Sequence, residues 1–203
     1  ILLLNSNQKK DFTDVYETPE HRIQIIPPGL DRNWLNVESY NIRDELNISD
    51  KDKIMLFVGS DFSRKGLDRA VLGLEYLIDN HIPSSLIVIG DDKDSDYLEL
   101  ITKKNLVSRI KFMGPRNDVA SFMKSSDILV HPAREEAAGN VVIEAIIAGL
   151  PSIVSSEVGF SEEILKFNSG NVLKGAFSQK AFNSLLAESI SDENLEKIRL
   201  TIR

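Results

Sequence analysis

The chain contains no cysteine, which excludes disulfides and thiolate metal sites and fits a cytosolic location. Histidine is almost as scarce. His21, His81 and His131 are scattered, and no grouping of acids and histidines has metal-ligand spacing. No apolar run approaches the roughly 20 residues that span a bilayer, and Ile1-Leu-Leu-Leu4 is too short for the core of a signal peptide. Excess positive charge is missing as well. The formal net charge of -7 argues against nucleic acid or an anionic membrane as a broad partner surface, although a local basic site fits within an acidic chain. Two familiar phosphate signatures are also absent: there is no Gly-x-Gly-x-x-Gly, and Lys65 has neither the preceding Gly nor the following Ser or Thr of a Walker loop. Asn47-Ile-Ser49 matches a glycosylation sequon, which without a secretory signal reads as coincidence.

What is present is the composition of a soluble globular protein, long enough at 203 residues to bury a full core in one domain or one and a half. The opening apolar run without Met reads as a start inside a longer protein. Residues 1–20 hold a short strand and a polar helix ending at Thr18-Pro19. Ile23–Ile26 then reads as a strand stopped by Pro27-Pro-Gly29, and residues 30–52 as a connector with a weak helix at Ser39–Leu46. A regular alternation follows. Strands are expected at Ile54–Val58, Leu86–Gly90, Ile110–Met113, Ile128–His131, Ser152–Ser155 and Asn171–Leu173. Helices are expected at Leu67–Asn80, Asp96–Lys104, Val119–Ser125, Asn140–Ala148, Ser161–Phe167 and Gln179–Ile190. Strands that are apolar throughout belong in a parallel sheet covered on both faces. The pattern is a doubly wound α/β domain, Rossmann-like, over residues 21–190, and its ligands belong beyond the carboxyl ends of the strands. Residues 191–203 read as the start of a truncated helix.

The most informative stretch is Glu136-Ala-Ala-Gly-Asn-Val-Val-Ile-Glu144, between the strand Ile128–His131 and the helix stop Gly149-Leu-Pro151. The first helical turn offers unpaired N–H groups and the positive end of the dipole, which suits a diphosphate. Ala137, Ala138, Gly139, Asn140 and Val141 form that turn and its approach, and Gly139 would let backbone come close to a ligand. Glu136 in the loop before the helix and Glu144 about one turn inside it can line one pocket. Carboxylates beside an anion site make sense if the ligand also carries hydroxyls, as a nucleotide sugar does. Taken alone, the same Glu-x7-Glu spacing also describes a solvated loop and a surface helix. After Ile54–Val58 comes Gly59-Ser-Asp-Phe-Ser-Arg64-Lys65-Gly66, a glycine-flanked loop with two adjacent cations at the same end of the sheet. By itself it is equally a solvated turn, with Asp61 pairing with Arg64. Gly114-Pro-Arg116-Asn117-Asp118 ends another strand, and Asn117 or Asp118 suits the N-cap of the next helix. His131 reads as a strand-end residue with a satisfied ring.

In this order, the motifs resemble the donor site of GT-B glycosyltransferases of family 4. The wording His131-Pro-Ala-Arg-Glu-Glu-Ala-Ala-Gly139 is most similar to the lipopolysaccharide core glucosyltransferase I branch. The resemblance implies the C-terminal half of a GT-B fold in a retaining, metal-independent hexosyltransferase without cofactor, with UDP-glucose the favoured donor. It implies Arg64 and Lys65 on the donor diphosphate, Glu136 on sugar hydroxyls and Glu144 on the ribose. Backbone at Met113 and Gly114, with Arg116, would read the nucleobase, and Arg32 near the turn Pro28-Gly29-Leu30-Asp31 would also reach the donor. Many relatives have two glycines where this chain has Gly159-Phe160. An N-terminal acceptor domain would precede residue 1, and the full-length enzyme would work in the cytoplasm, with peripheral association at the inner membrane. A nucleotide-sugar 2-epimerase of the same fold and a non-catalytic nucleotide-sugar-binding module stay open as alternatives, because fold alone does not separate them.

Overall fold

A computed structural model of the chain describes residues 1–26, 29 and 41–202, so Arg32 and most of the turn around it lie outside the described residues. The first unit is small. Leu2–Leu3 (β1) pairs in parallel with Gln24–Ile25 (β2), and between them runs helix α1, Ser6–Asp14. Asn5 starts α1, its side-chain oxygen accepting from the Gln8 N–H at 2.9 Å, which satisfies one of the donors a helix start leaves open. Ile42–Leu46 (α2) follows, with Asn41 as its N-cap, inside the stretch Ser39–Leu46 where a weak helix is expected.

The main sheet has six strands: β3 (Lys53–Val58), β4 (Ser84–Ile89), β5 (Ile110–Phe112), β6 (Ile128–His131), β7 (Ser152–Ser155) and β8 (Gly170–Leu173). Their order is β5-β4-β3-β6-β7-β8 and every pair is parallel. Successive residues point to opposite faces of a strand, and both faces here are covered. Met55 and Phe57 enter one core with Leu86, Val88, Ile128 and Val130, under helices α4 (Leu67–Asp79) and α9 (Gln179–Ser189). Ile54 and Leu56 enter the other with Ile87, Ile89, Leu129 and Val154, under α6 (Val119–Ser125), α7 (Asn140–Ala148) and α8 (Ser161–Lys166). This is why Ile54–Phe57 is uniformly apolar: all four side chains are fully buried. Each contributes about 2 kcal/mol of transfer free energy, and Phe57→Ala would remove about 4 kcal/mol by also leaving a cavity. Helix α5 (Ser95–Lys103) packs beside α4, and α10 (Asp192–Ile202) closes the described chain.

From β3 to α9 the strand and helix limits fall within two residues of those expected from the sequence, apart from α3 (Phe62–Lys65), whereas α1 ends at Asp14, short of the expected Thr18-Pro19. One local difference matters. The loop after β3 contains a single helical turn, α3 (Phe62–Lys65), because the Asp61 carboxylate caps it and Gly66 ends it in the left-handed region. Between β3 and β6 the chain order reverses, with β4 and β5 on one side and β7 and β8 on the other. Loops leaving the carboxyl ends of β3 and β6 therefore diverge and leave a crevice, the usual ligand position in such a sheet.

Candidate functional site

Two loops, one after β3 and one after β6, are laced together at that crevice. Phe62 is buried edge-on against Phe57, with ring centroids 5.9 Å apart, and its N–H donates to Asp92 at 2.7 Å. This anchors α3 so that Arg64 and Lys65 stand on the rim. A Cβ on Gly66 would lie 2.2 Å from the Pro132 carbonyl oxygen, so the two backbones cross where no side chain fits. Arg134 ties them further. Its N–H donates to the Arg64 carbonyl at 2.7 Å, and its guanidinium to the Ser63 carbonyl and to both Asp68 oxygens. Arg69 adds bonds to the Pro132 and Ala133 carbonyls while stacking on Phe177.

Glu136 lies at the centre. Its Oε2 accepts from Lys65 Nζ at 2.6 Å, with Arg64 at 3.5 Å and His131 Nε2 at 3.9 Å. Only 13% of its side chain is exposed. Arg64 is held on its other side by Asp61 at 2.8 Å, the pairing expected from the sequence, and donates to the Glu135 carbonyl. His131 and then Lys65 hold the Glu136 carboxyl down at about 2, against the opposing effect of burial. The His131 approach is too long for a hydrogen bond, and burial pushes the ring pKa down and keeps it neutral. The charge that stabilises Glu136 is therefore chiefly that of Lys65. Glu144 stands one turn inside α7, half-buried, and its carboxylate makes no hydrogen bond among the described residues. Burial pushes its carboxyl upward, while the nearby Lys65 charge opposes that. Both acids and Lys65 thus share one electrostatic neighbourhood. An anion beside hydroxyls is what this arrangement accommodates: cations for the first, acceptor oxygens for the second.

The backbone from 136 to 139 is fixed from behind. Glu136 and Val158 form a parallel bridge, and the N–H groups of Gly159 and Phe160 donate to the carbonyls of Glu136 and Ala138, each at 2.8 Å. The Ala137 carbonyl accepts from Asn5 at 2.5 Å. Gly159 is required because a Cβ there would lie 2.2 Å from that carbonyl and 2.4 Å from the Asn5 amide. Phe160 is buried in the core, a packing residue at the position where the family resemblance implies a second glycine. Between α1 and the Glu136 loop lies a cavity of about 490 Å³, whose wall includes Gln8, Asp11, Glu135, Glu136 and Ser156.

Among the other expected residues, only His131 stands differently from its reading. Gly139 adopts φ 82° and its missing Cβ makes room for Val158 Cγ1, 2.6 Å away, so its need is explained by packing within the protein. Gly59 is crossed by the Lys65 stem. Val141 turns its side chain into the core, whereas Asn140 and Ala137 are exposed and Ala138 is half-buried. Gly114 and Arg116 sit at the end of β5, with β4 between them and β3, and the Gly114 carbonyl accepts from Gly90. Arg116 pairs with Asp118 at 2.6 Å and lies over the Phe122 ring; Asp118 holds the helix-start position of α6. The satisfied ring expected of His131 is not found: it is fully buried, and neither nitrogen has a hydrogen-bond partner among the described residues. Asn5, Arg69 and Arg134 were not singled out from sequence. Only Arg134 carried a signal, its place inside the His131–Gly139 motif.

With this geometry in hand, comparison with known proteins is specific. The chain is 36% identical over 203 residues to the lipopolysaccharide glucosyltransferase WaaG of Escherichia coli (strain K12), covering 96% of the chain and 54% of that protein. The crystal structure of WaaG, a glycosyltransferase involved in lipopolysaccharide biosynthesis, superposes with a TM-score of 0.89 at 34% identity, over 100% of this chain and 56% of that one. The fold is therefore the Rossmann-like α/β half of a GT-B structure. Anabaena Alr3699/HepE, solved in complex with UDP and glucose, shares that fold with a TM-score of 0.80 at 19% identity, over 99% and 57% of the two chains. The chain spans about half the length of the relatives it matches. Residues 38–199 match the model of the glycosyl transferases group 1 family, and the chain belongs to that family.

Proposed function

We propose that this chain is the donor-binding half of a retaining, metal-independent glycosyltransferase that moves glucose from UDP-glucose to a lipopolysaccharide-core or related glycan. The observation that carries the reading is the cluster of Lys65, Arg64 and Glu136 around one carboxylate oxygen, with Glu144 in the same field. Arg64 and Lys65 offset the negative charge that builds on the departing diphosphate, the task a metal ion performs in other sites. The first turn of α7, from Gly139 through Val141, adds N–H groups to the same phosphates. Glu136 Oε1, which accepts from no described residue, takes sugar hydroxyls in the cavity beside α1. Glu144 accepts from the ribose hydroxyls, and the β5 end with Gly114 and Arg116 receives the nucleobase. WaaG is by name a lipopolysaccharide glucosyltransferase, and HepE was solved with UDP and glucose; both support this donor chemistry.

The acceptor half belongs to the part of such enzymes that this chain does not span, and acts at the cytoplasmic face of the inner membrane. No helix among the described residues is long and apolar enough to cross a membrane. Titration calorimetry with UDP-, GDP- and ADP-sugars tests the reading, with UDP-glucose expected to bind and no turnover to follow. Failure of every nucleotide sugar to bind would defeat it. Sugar transfer by these 203 residues alone would defeat the division of labour.

A further inference from the structure

His131 is the least explained group in the molecule. It ends β6 at the crevice, fully buried, and neither ring nitrogen makes a hydrogen bond among the described residues. An imidazole taken out of water with both nitrogens unpaired is costly, and a leucine of similar size would avoid the cost. The ring is not loose packing, since Phe57 lies against it with centroids 6.4 Å apart. Its Nε2 faces one acceptor, Glu136 Oε2, at 3.9 Å. That same oxygen is the one occupied by Lys65 at 2.6 Å and approached by Arg64 at 3.5 Å. Three donors thus converge on one oxygen, two charged and close, one neutral and about 1 Å beyond hydrogen-bond distance.

We propose that His131 is a positioning residue for the sugar end of the site, a neutral N–H donor that takes over Glu136 Oε2 when a diphosphate draws Lys65 and Arg64 away. The inference rests on the donor-site reading above and adds to it. A diphosphate competes with Glu136 for both cations. Without a replacement donor the carboxylate would turn after Lys65 or be left half-buried with an unpaired charge. A shift of about 1 Å toward His131 closes a hydrogen bond, and Oε1 stays aimed at the sugar hydroxyls. A neutral donor is the right kind, because another cation there would compete for the diphosphate.

The test is His131→Leu, with His131→Gln as the variant that retains an N–H donor, measured by calorimetry against UDP and UDP-glucose and by urea unfolding. His131→Leu should be at least as stable as the parent chain, since it removes two unpaired polar atoms. It should weaken UDP-glucose about tenfold while changing UDP less than twofold, and His131→Gln should restore most of the loss. In a Glu136→Gln background the leucine substitution should have no further effect on the sugar nucleotide, because the histidine acts through that carboxylate. Equal losses for UDP and UDP-glucose, unchanged UDP-glucose binding in a folded His131→Leu, or additive losses in the double variant would each overturn the assignment. If His131→Leu does not fold, His131→Met, which also lacks an N–H donor, gives the same double-variant comparison against Glu136→Gln. If the parent chain binds neither ligand, the donor-site reading has failed, a result distinct from a parent that binds and a variant that does not differ from it.

Discussion

Two carboxylates flank β6, Asp127 before it and Glu136 after it, and their side chains are equally exposed at 13%. Asp127 uses both oxygens. Oδ2 accepts from Arg43 at 2.9 Å and from the Ile54 N–H at 2.8 Å, and Oδ1 from Arg199 at 3.1 Å. It thereby fastens α2, β3 and α10 to the amino end of β6. Glu136 has its donors crowded on one oxygen, its other oxygen accepts from no described residue, and the residue lines a cavity. Burial and charge are alike at the two positions; what separates them is satisfaction. Asp127 has donors on both oxygens and works as part of the scaffold, whereas the acceptor Glu136 keeps in reserve is what the proposed sugar contact requires.

That contrast can be broken in four ways. Asp127→Ala should lower stability in urea by about 3 kcal/mol, because it strands buried partners, while UDP affinity of the folded protein stays within twofold. A binding defect without a stability loss would erase the distinction. Glu144→Gln should weaken UDP and UDP-glucose alike by about 2 kcal/mol, the worth of a charge-assisted bond to a shared ribose. Glu136→Gln should cost roughly tenfold in UDP-glucose affinity, about 1.4 kcal/mol, with UDP little changed. Equal losses for both ligands in calorimetry would reverse these two assignments. The smallest effect is with pH. The Glu136 carboxyl is held at about 2 in the folded chain against an ordinary 4.5. Its contribution is therefore fully present above the ordinary value and is lost as pH falls from there through about 2. It amounts to about 1 kcal/mol, since one close cation supplies most of it, and the urea midpoints of the parent and Glu136→Gln should converge as the solution is acidified.

The sheet was legible because its strands are blocks of apolar residues bounded by Gly, Pro and polar punctuation. Ile128–His131, Ser152–Ser155, Val119–Ser125 and Asn140–Ala148 match the expected limits. The meeting of Arg64 and Lys65 with Glu136 was legible from topology, since all follow strands that end on one rim. The bolts between loops were not. Arg134 reaches Asp68 across 66 residues and Asn5 reaches Ala137 across 132, and no local pattern encodes such pairs. Glycine roles are only partly legible for a related reason. A glycine in a loop signals close approach, but whether a ligand or another stretch of the same chain approaches, as Val158 does at Gly139, depends on the folded arrangement.

The rim cations are already spoken for: Arg64 by Asp61, Lys65 by Glu136 and Arg134 by Asp68. An anion diffusing toward this mouth meets closed dipoles on a chain of net charge -7, with no attractive field reaching far into solvent. On the proposed donor-site reading, capture would be governed by how often an internal pair opens at the moment of collision. The arrival rate would then depend weakly on ionic strength, with grip developing only after contact.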